Sequence, residues 1–212
     1  YIMKSRVLSS VLKHKNESRF GRIIVLTGAR QTGKTTLAKS CFNQYNYITA
    51  EDPIMRIEYA KLSASQWNQF YPMAIVDEVQ KEPRIIESIK AVYDQYPEPK
   101  YILLGSSQLL LLQKVKESLA GRCIILEVYP LTLPEMRSKN WGEEIPLSIF
   151  QEMLAYGKIP SLKPSMKLYE DYPDIENTFN YYLEYGGYPA IIDDTISNEE
   201  RDEWLRGYVR TY

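Results

Sequence analysis

The sequence contains one histidine, His14, and two cysteines, Cys41 and Cys123, among 212 residues. The cysteines lie far apart with no Cys-x-x-Cys spacing, and His14 has no ligand-type partner nearby in sequence. Zinc chemistry and nucleophilic catalysis of the Cys/His or Ser/His type are therefore not supported. Both thiols are expected to be small buried side chains. No run of about 18 apolar residues occurs, which leaves no candidate membrane helix. The opening residues, YIMKSRVLSS, lack the apolar stretch of an export signal, so the cytoplasm is the expected compartment. Charge of one sign is missing too: 26 basic and 27 acidic residues give a formal net charge of −1. That balance excludes a chain-wide nucleic-acid or membrane-surface coat and leaves local patches open.

What is present is a regular alternation. Apolar runs of strand length, IIVLTG (23–28), YNYIT (45–49), MAIVDE (73–78), YILLGS (101–106) and IILEVY (124–129), are separated by stretches of helical period. This is the pattern of an α/β domain with a parallel sheet and crossover helices. The runs lack polar alternation, which predicts strands covered on both faces. Helices are expected near 34–43, 54–69, 83–95 and 107–119, the third with Pro83 in its first turn. After about residue 130 prolines punctuate the chain, GKIPSLKPSMKLYEDYP (157–173) reads as a connector, and helical patterns recur near 175–186 and 198–212. The expected organisation is a core over 1–135 and a small helical lid over 136–212. Trp204, Leu205, Tyr208, Val209 and Tyr212 keep helical spacing to the last residue, so the chain is expected to continue in a longer protein. No internal repeat is visible.

The chemistry concentrates at residues 28–35. Gly28, Ala29, Arg30, Gln31, Thr32, Gly33, Lys34 and Thr35 spell GARQTGKT, a full GxxxxGK[ST] phosphate loop between an apolar strand and a helix. Glycines at both ends allow backbone N–H groups to turn inward as an anion cradle, and the helix N-terminus adds its dipole. Lys34 is placed to reach β- and γ-phosphates, Thr35 to ligate magnesium through its hydroxyl, and Thr36 to bond the α-phosphate. Magnesium needs a further carboxylate at a neighbouring strand end. AIVDE supplies Asp77 for a magnesium-bound water and Glu78 as general base toward the attacking water. The DxxG and NKxD signals of guanine-specific switches are absent from the sequence, so ATP/ADP with Mg2+ is the expected ligand set.

GARQTGKTTL, AIVDEVQKEP, LLGSSQLLL, ESLAGR, YPLTLPEM and YLEYGGYPAII resemble, in order and spacing, the prokaryotic AAA-type ATPases of the archaeal/bacterial ATPase group. These are P-loop ATPases close to the AAA+ and STAND lineages. The resemblance covers essentially the whole chain and implies a P-loop NTPase fold, with a five-stranded parallel sheet of order 5-1-4-3-2 and a small C-terminal helical lid. It implies Ser106, or Ser107, as a polar sensor of the γ-phosphate; a helix N-cap is the other reading of this serine. It implies Arg122 as a finger reaching a neighbouring subunit of a homo-oligomer, against an exposed arginine or a structural ion pair. It implies Pro189 of GGYP against the adenine, with Gly186 and Gly187 permitting close approach, whereas a helix C-cap followed by proline fits the same letters. Relatives continue into a nuclease-like C-terminal domain, which such an ATPase would regulate.

Tyrosine is abundant, with 18 residues. Tyr181, Tyr182, Tyr185 and Tyr188 fit lid core at helical spacing, and a stacking platform for nucleic acid is the alternative. The expected function is Mg-dependent ATP hydrolysis that drives or regulates an attached domain or partner. A nucleotide-dependent assembly switch with negligible turnover is the competing reading.

Overall fold

The computed structural model describes residues 3–106, 109–158 and 172–210. The chain forms two compact units, Leu8–Tyr129 and a second made of Tyr1–Val7 with Pro130–Tyr212.

The first unit is built on five parallel strands, β1 (Ile23–Thr27), β2 (Asn46–Thr49), β3 (Met73–Asp77), β4 (Lys100–Leu104) and β5 (Cys123–Glu127). Their order is β2-β3-β4-β1-β5, the 5-1-4-3-2 arrangement that the sequence resemblance implies. Parallel neighbours need crossovers, and helices supply them: α1 (Val7–Glu17) precedes β1, and α2 (Lys34–Cys41), α3 (Pro53–Lys61), α4 (Ala64–Phe70), α5 (Arg84–Gln95) and α6 (Leu109–Ser118) follow in turn.

All five residues of β1 are buried. Ile23, Val25, Ala74, Val76, Tyr101 and Leu103 join one core cluster with Trp67 of α4, Ile85, Ile89 and Val92 of α5, and Val115 and Leu119 around the end of α6. The alternate residues Ile24, Leu26, Ile75, Ile102 and Leu104 are buried as well. Burial at every position of a strand removes polar alternation, which is why these runs read as uniformly apolar.

Two helix expectations change. The single helix over 54–69 is two helices, because Ser63 caps α4, accepting from Gln66 N at 3.2 Å while the Gln66 side chain accepts from Ser63 N at 2.9 Å. A reciprocal capping box starts a new helix rather than continuing the old one. Pro83 sits at the N-cap of α5, one position before the first turn. Helix α1 was not expected. It is tied down by tertiary bonds: Asn16 donates to Gly21 O and accepts from Tyr45 OH, and its carbonyl accepts from Lys100.

In the second unit the described elements are all helical: α7 (Leu133–Arg137), α8 (Ile149–Tyr156), α9 (Tyr172–Tyr185) and α10 (Asn198–Arg210). Most of the connector read from 157–173 lies outside the described residues. Glu135 is buried and accepts from Thr132 N and Val7 N, both at 2.8 Å, so one carboxylate fastens residue 7 to α7. Tyr185 is buried and its ring lies 5.1 Å from Tyr181, while Tyr188 packs with Trp204 and Tyr208. Among the described residues, no helix is long and apolar enough to cross a membrane.

Candidate nucleotide-binding site

The loop from Gly28 to Gly33 leaves the C-terminal end of the interior strand β1, between β4 and β5, and enters α2 at Lys34. Gly28 has φ +139°, and a Cβ there would meet the Val128 carbonyl oxygen at 2.2 Å. Only glycine lets the loop begin this close to the chain leaving β5. Gly33 has φ 87° and caps α2. Two non-glycine residues among those described have positive φ, Gln31 at 60° and Glu78 at 53°. Both lie in the site, and such strain collects where function fixes the backbone.

Within the loop, Thr32 is buried and its hydroxyl donates to Ala29 O at 3.0 Å. Lys34 folds back, donating from Nζ to Gly28 O at 3.0 Å and Ala29 O at 2.6 Å. Burial lowers its pKa below the ordinary lysine value, opposed by the nearby carboxylates of Glu78 and Asp77. Arg30, Gln31 and Thr36 are exposed around this centre.

The strand order puts β4 between the loop strand and β3, yet the two motifs meet. Thr35 Oγ1 donates to Asp77 Oδ2 at 2.7 Å, and the same oxygen accepts from Tyr47 OH at 2.9 Å. The other oxygen of Asp77 accepts from Glu78 N at 2.9 Å. Tyr47 stands on β2, two residues before Thr49, the register partner of Asp77. Its ring lies under the Lys39 ammonium, 3.3 Å from the centroid. Burial, followed by the bond to Asp77, pushes the Tyr47 phenol up to about 12. Glu78 opens the 3-10 turn Val79–Lys81 and accepts a hydrogen bond from Gln80 Nε2.

Ser106 follows β4, is buried, and its hydroxyl has no partner among the described residues; Ser107 lies outside the described residues. Thr35, Asp77, Glu78 and Lys34 are thus brought together. Arg122 is not. It precedes the first residue of β5, whose partner is Ile23, so it sits at the opposite end of the sheet from its own loop. There it pairs with Asp94 at 2.8 and 3.3 Å. In the second unit, Gly186 has φ +72° and its N–H bonds Tyr182 O at 3.0 Å, the geometry of a helix C-terminus. A Cβ on Gly187 would meet the Leu131 carbonyl oxygen at 2.0 Å, so its close backbone approach is to the protein itself. Pro189 is half-buried in the same unit.

Tyr47 and Gln80 were missed by sequence reasoning. Nothing in the letters marks Tyr47, since its approach to Asp77 follows from β2–β3 pairing, while Gln80 lies two residues beyond the DE pair and carried a weak signal.

Hard oxygens of Thr35 and Asp77 converge here, and among the described residues no group of three or more His, Cys, Asp or Glu could hold a metal. Two protein oxygens suit magnesium, which keeps waters and takes substrate phosphates, and do not suit zinc.

A glycine-bounded loop at the tip of an interior parallel strand, joined to a strand that ends in Asp77 with Glu78 next, defines a P-loop ATPase fold. An AAA domain family model matches residues 21–137, and the chain belongs to that family. It is a nucleotide-binding, ATPase-like module. Uncharacterised proteins of Mycobacterium tuberculosis and Mycobacterium bovis are each 31% identical over 121 residues, 55% of this chain and 27% of theirs. The match therefore spans about a quarter of those relatives' length.

Among solved structures, the Walker-type ATPase PABY2304 of Pyrococcus abyssi aligns with a TM-score of 0.52 at 16% identity, covering 98% of this chain and 74% of that one. The STAND protein PH0952 of Pyrococcus horikoshii, which carries a tetratricopeptide repeat sensor, aligns at 0.51 and 10% identity, over 97% of this chain and 32% of that one. At such identities the likeness concerns the fold.

Proposed function

We propose that this chain binds ATP with magnesium and hydrolyses it to ADP and phosphate, and that this cycle drives or regulates an attached domain or partner. The observation that carries the reading is the 2.7 Å bond between Thr35 and Asp77, which joins the phosphate loop to the acidic strand end across β4. In this reading the loop N–H groups and Lys34 hold the β- and γ-phosphates, with Lys34 exchanging the Gly28 and Ala29 carbonyls for phosphate oxygens. Thr35 and Asp77 would hold magnesium, directly or through its water, and that ion would supply charge neutralisation to the transferred phosphoryl group. Glu78 takes a proton from the attacking water. Ser106, whose buried hydroxyl is unpartnered, bonds the γ-phosphate. Arg122 acting on a neighbouring subunit, Pro189 on the base, and the second unit as lid belong to the same proposal.

Single-turnover hydrolysis by the wild type and Glu78→Gln tests it. The variant should retain ATP and lose activity by about 10²-fold or more. Equal, near-background hydrolysis in both proteins with ATP still bound would overturn turnover in favour of a nucleotide-dependent assembly switch.

A further inference from the structure

We propose that Gln80 is a positioning residue for Glu78, holding its carboxylate at the phosphate-binding end of the sheet through the hydrogen bond from Gln80 Nε2 to Glu78 Oε2. The inference rests on the reading of Glu78 as the general base.

Glu78 is the first residue after β3 and adopts left-handed backbone geometry, φ 53° and ψ 37°, a conformation unfavourable for a residue with a side chain. The chain then closes at once into a 3-10 turn, with Lys81 N bonding Glu78 O at 2.9 Å and Glu82 N bonding Val79 O at 3.2 Å. Val79 is fully buried and anchors this turn in the core cluster. Turn and anchor together bring the side chain at position 80 back beside that at position 78, where Gln80 donates to the carboxylate at 2.5 Å.

The orientation of the amide is informative. Gln80 Oε1 is buried and has no partner among the described residues, so the side chain satisfies Glu78 while leaving its own acceptor unmet, an arrangement that costs free energy. Flipping the amide would set its carbonyl against the carboxylate oxygen, which is worse. The bond to Glu78 therefore dictates how Gln80 lies. A carboxylate on a flexible stem loses rotamer freedom when it is fixed, and a neighbour that fixes it beforehand lowers the cost of reaching the reactive geometry.

The test measures ATP affinity and single-turnover hydrolysis for Gln80→Leu, which removes the amide, and Gln80→Met, which keeps the length and removes the donor without adding charge. Both are also made in the Glu78→Gln background. Expected are unchanged ATP affinity, turnover lowered about tenfold or more in each single variant, and no further loss once position 78 is glutamine. Unchanged turnover in either single variant, or an equal loss in the Glu78→Gln background, overturns the positioning role alone. Loss of ATP binding in both variants also overturns it, since Gln80 would then serve the fold or the binding site. A wild-type chain that binds ATP without hydrolysing it overturns the general-base reading and this inference with it.

Discussion

Replacing Lys34 with alanine removes the cation that folds back over the phosphate loop. Lys34 Nζ donates to two neutral loop carbonyls, Gly28 O at 3.0 Å and Ala29 O at 2.6 Å. On nucleotide binding those bonds are exchanged for bonds to phosphate oxygens, with both partners now charged. Hydrogen bonds to charged groups contribute about 1.5–3 kcal/mol each, so losing the bonds between the ammonium and phosphate costs about 3 kcal/mol. That corresponds to roughly a hundredfold in dissociation constant, and calorimetry with ATP and magnesium at fixed salt reads it directly. The alanine variant should bind at least that much more weakly.

The pH dependence follows with a definite sign. Burial lowers the Lys34 pKa below 10.5, and the ammonium is the form that holds phosphate. Affinity should therefore fall as pH rises through the lowered pKa, sooner than for an ordinary lysine, and the fall should vanish in Lys34→Ala. For folding the same shift acts oppositely: the cost of burying the ammonium is present below that pKa and relieved above it. Undiminished affinity in the alanine variant would refute the assignment of the loop.

Arg122→Ala should lower turnover at protein concentrations where chains associate and leave dilute protein unaffected, because Arg122 lies at the far end of β5 from its own loop; activity per chain that is independent of concentration would remove the finger role. Gly187→Ala forces a Cβ to 2.0 Å from the Leu131 carbonyl oxygen and should destabilise the second unit by about 1–3 kcal/mol in denaturant melts; an unchanged midpoint would show that this backbone pair can separate freely.

The phosphate loop and the acidic strand end were legible because each is local. A glycine-bounded turn between strand and helix, and a carboxylate pair ending an apolar run, keep their meaning wherever they occur. The inner strands β1, β3 and β4 were legible because burial along most of their length makes them apolar runs, whereas the edge strands β2 and β5 are partly exposed and are not covered on both faces as expected. Helices were less so where capping decides: the break at Leu62–Ser63 depends on the pairing of Ser63 with Gln66, which periodicity alone does not register. Helix α1 was unreadable because Asn16 is satisfied by Gly21, Tyr45 and Lys100, partners up to 84 residues away. Of the two readings of GGYP, the helix end is seen directly, since Gly186 is left-handed after α9 and Gly187 makes room for Leu131.

The sequence by itself determined which groups can meet a nucleotide: glycines that free the loop, Lys34 and Thr35 at the helix start, and Asp77 and Glu78 at a strand end. Tertiary structure alone decided how those groups are held. The β2–β3 pairing sets Tyr47 against Asp77, the turn after β3 folds Gln80 back onto Glu78, and the length of β5 keeps Arg122 away from its own loop. Spacing along the chain encodes local backbone geometry, whereas strand order and packing choose the neighbours of each side chain.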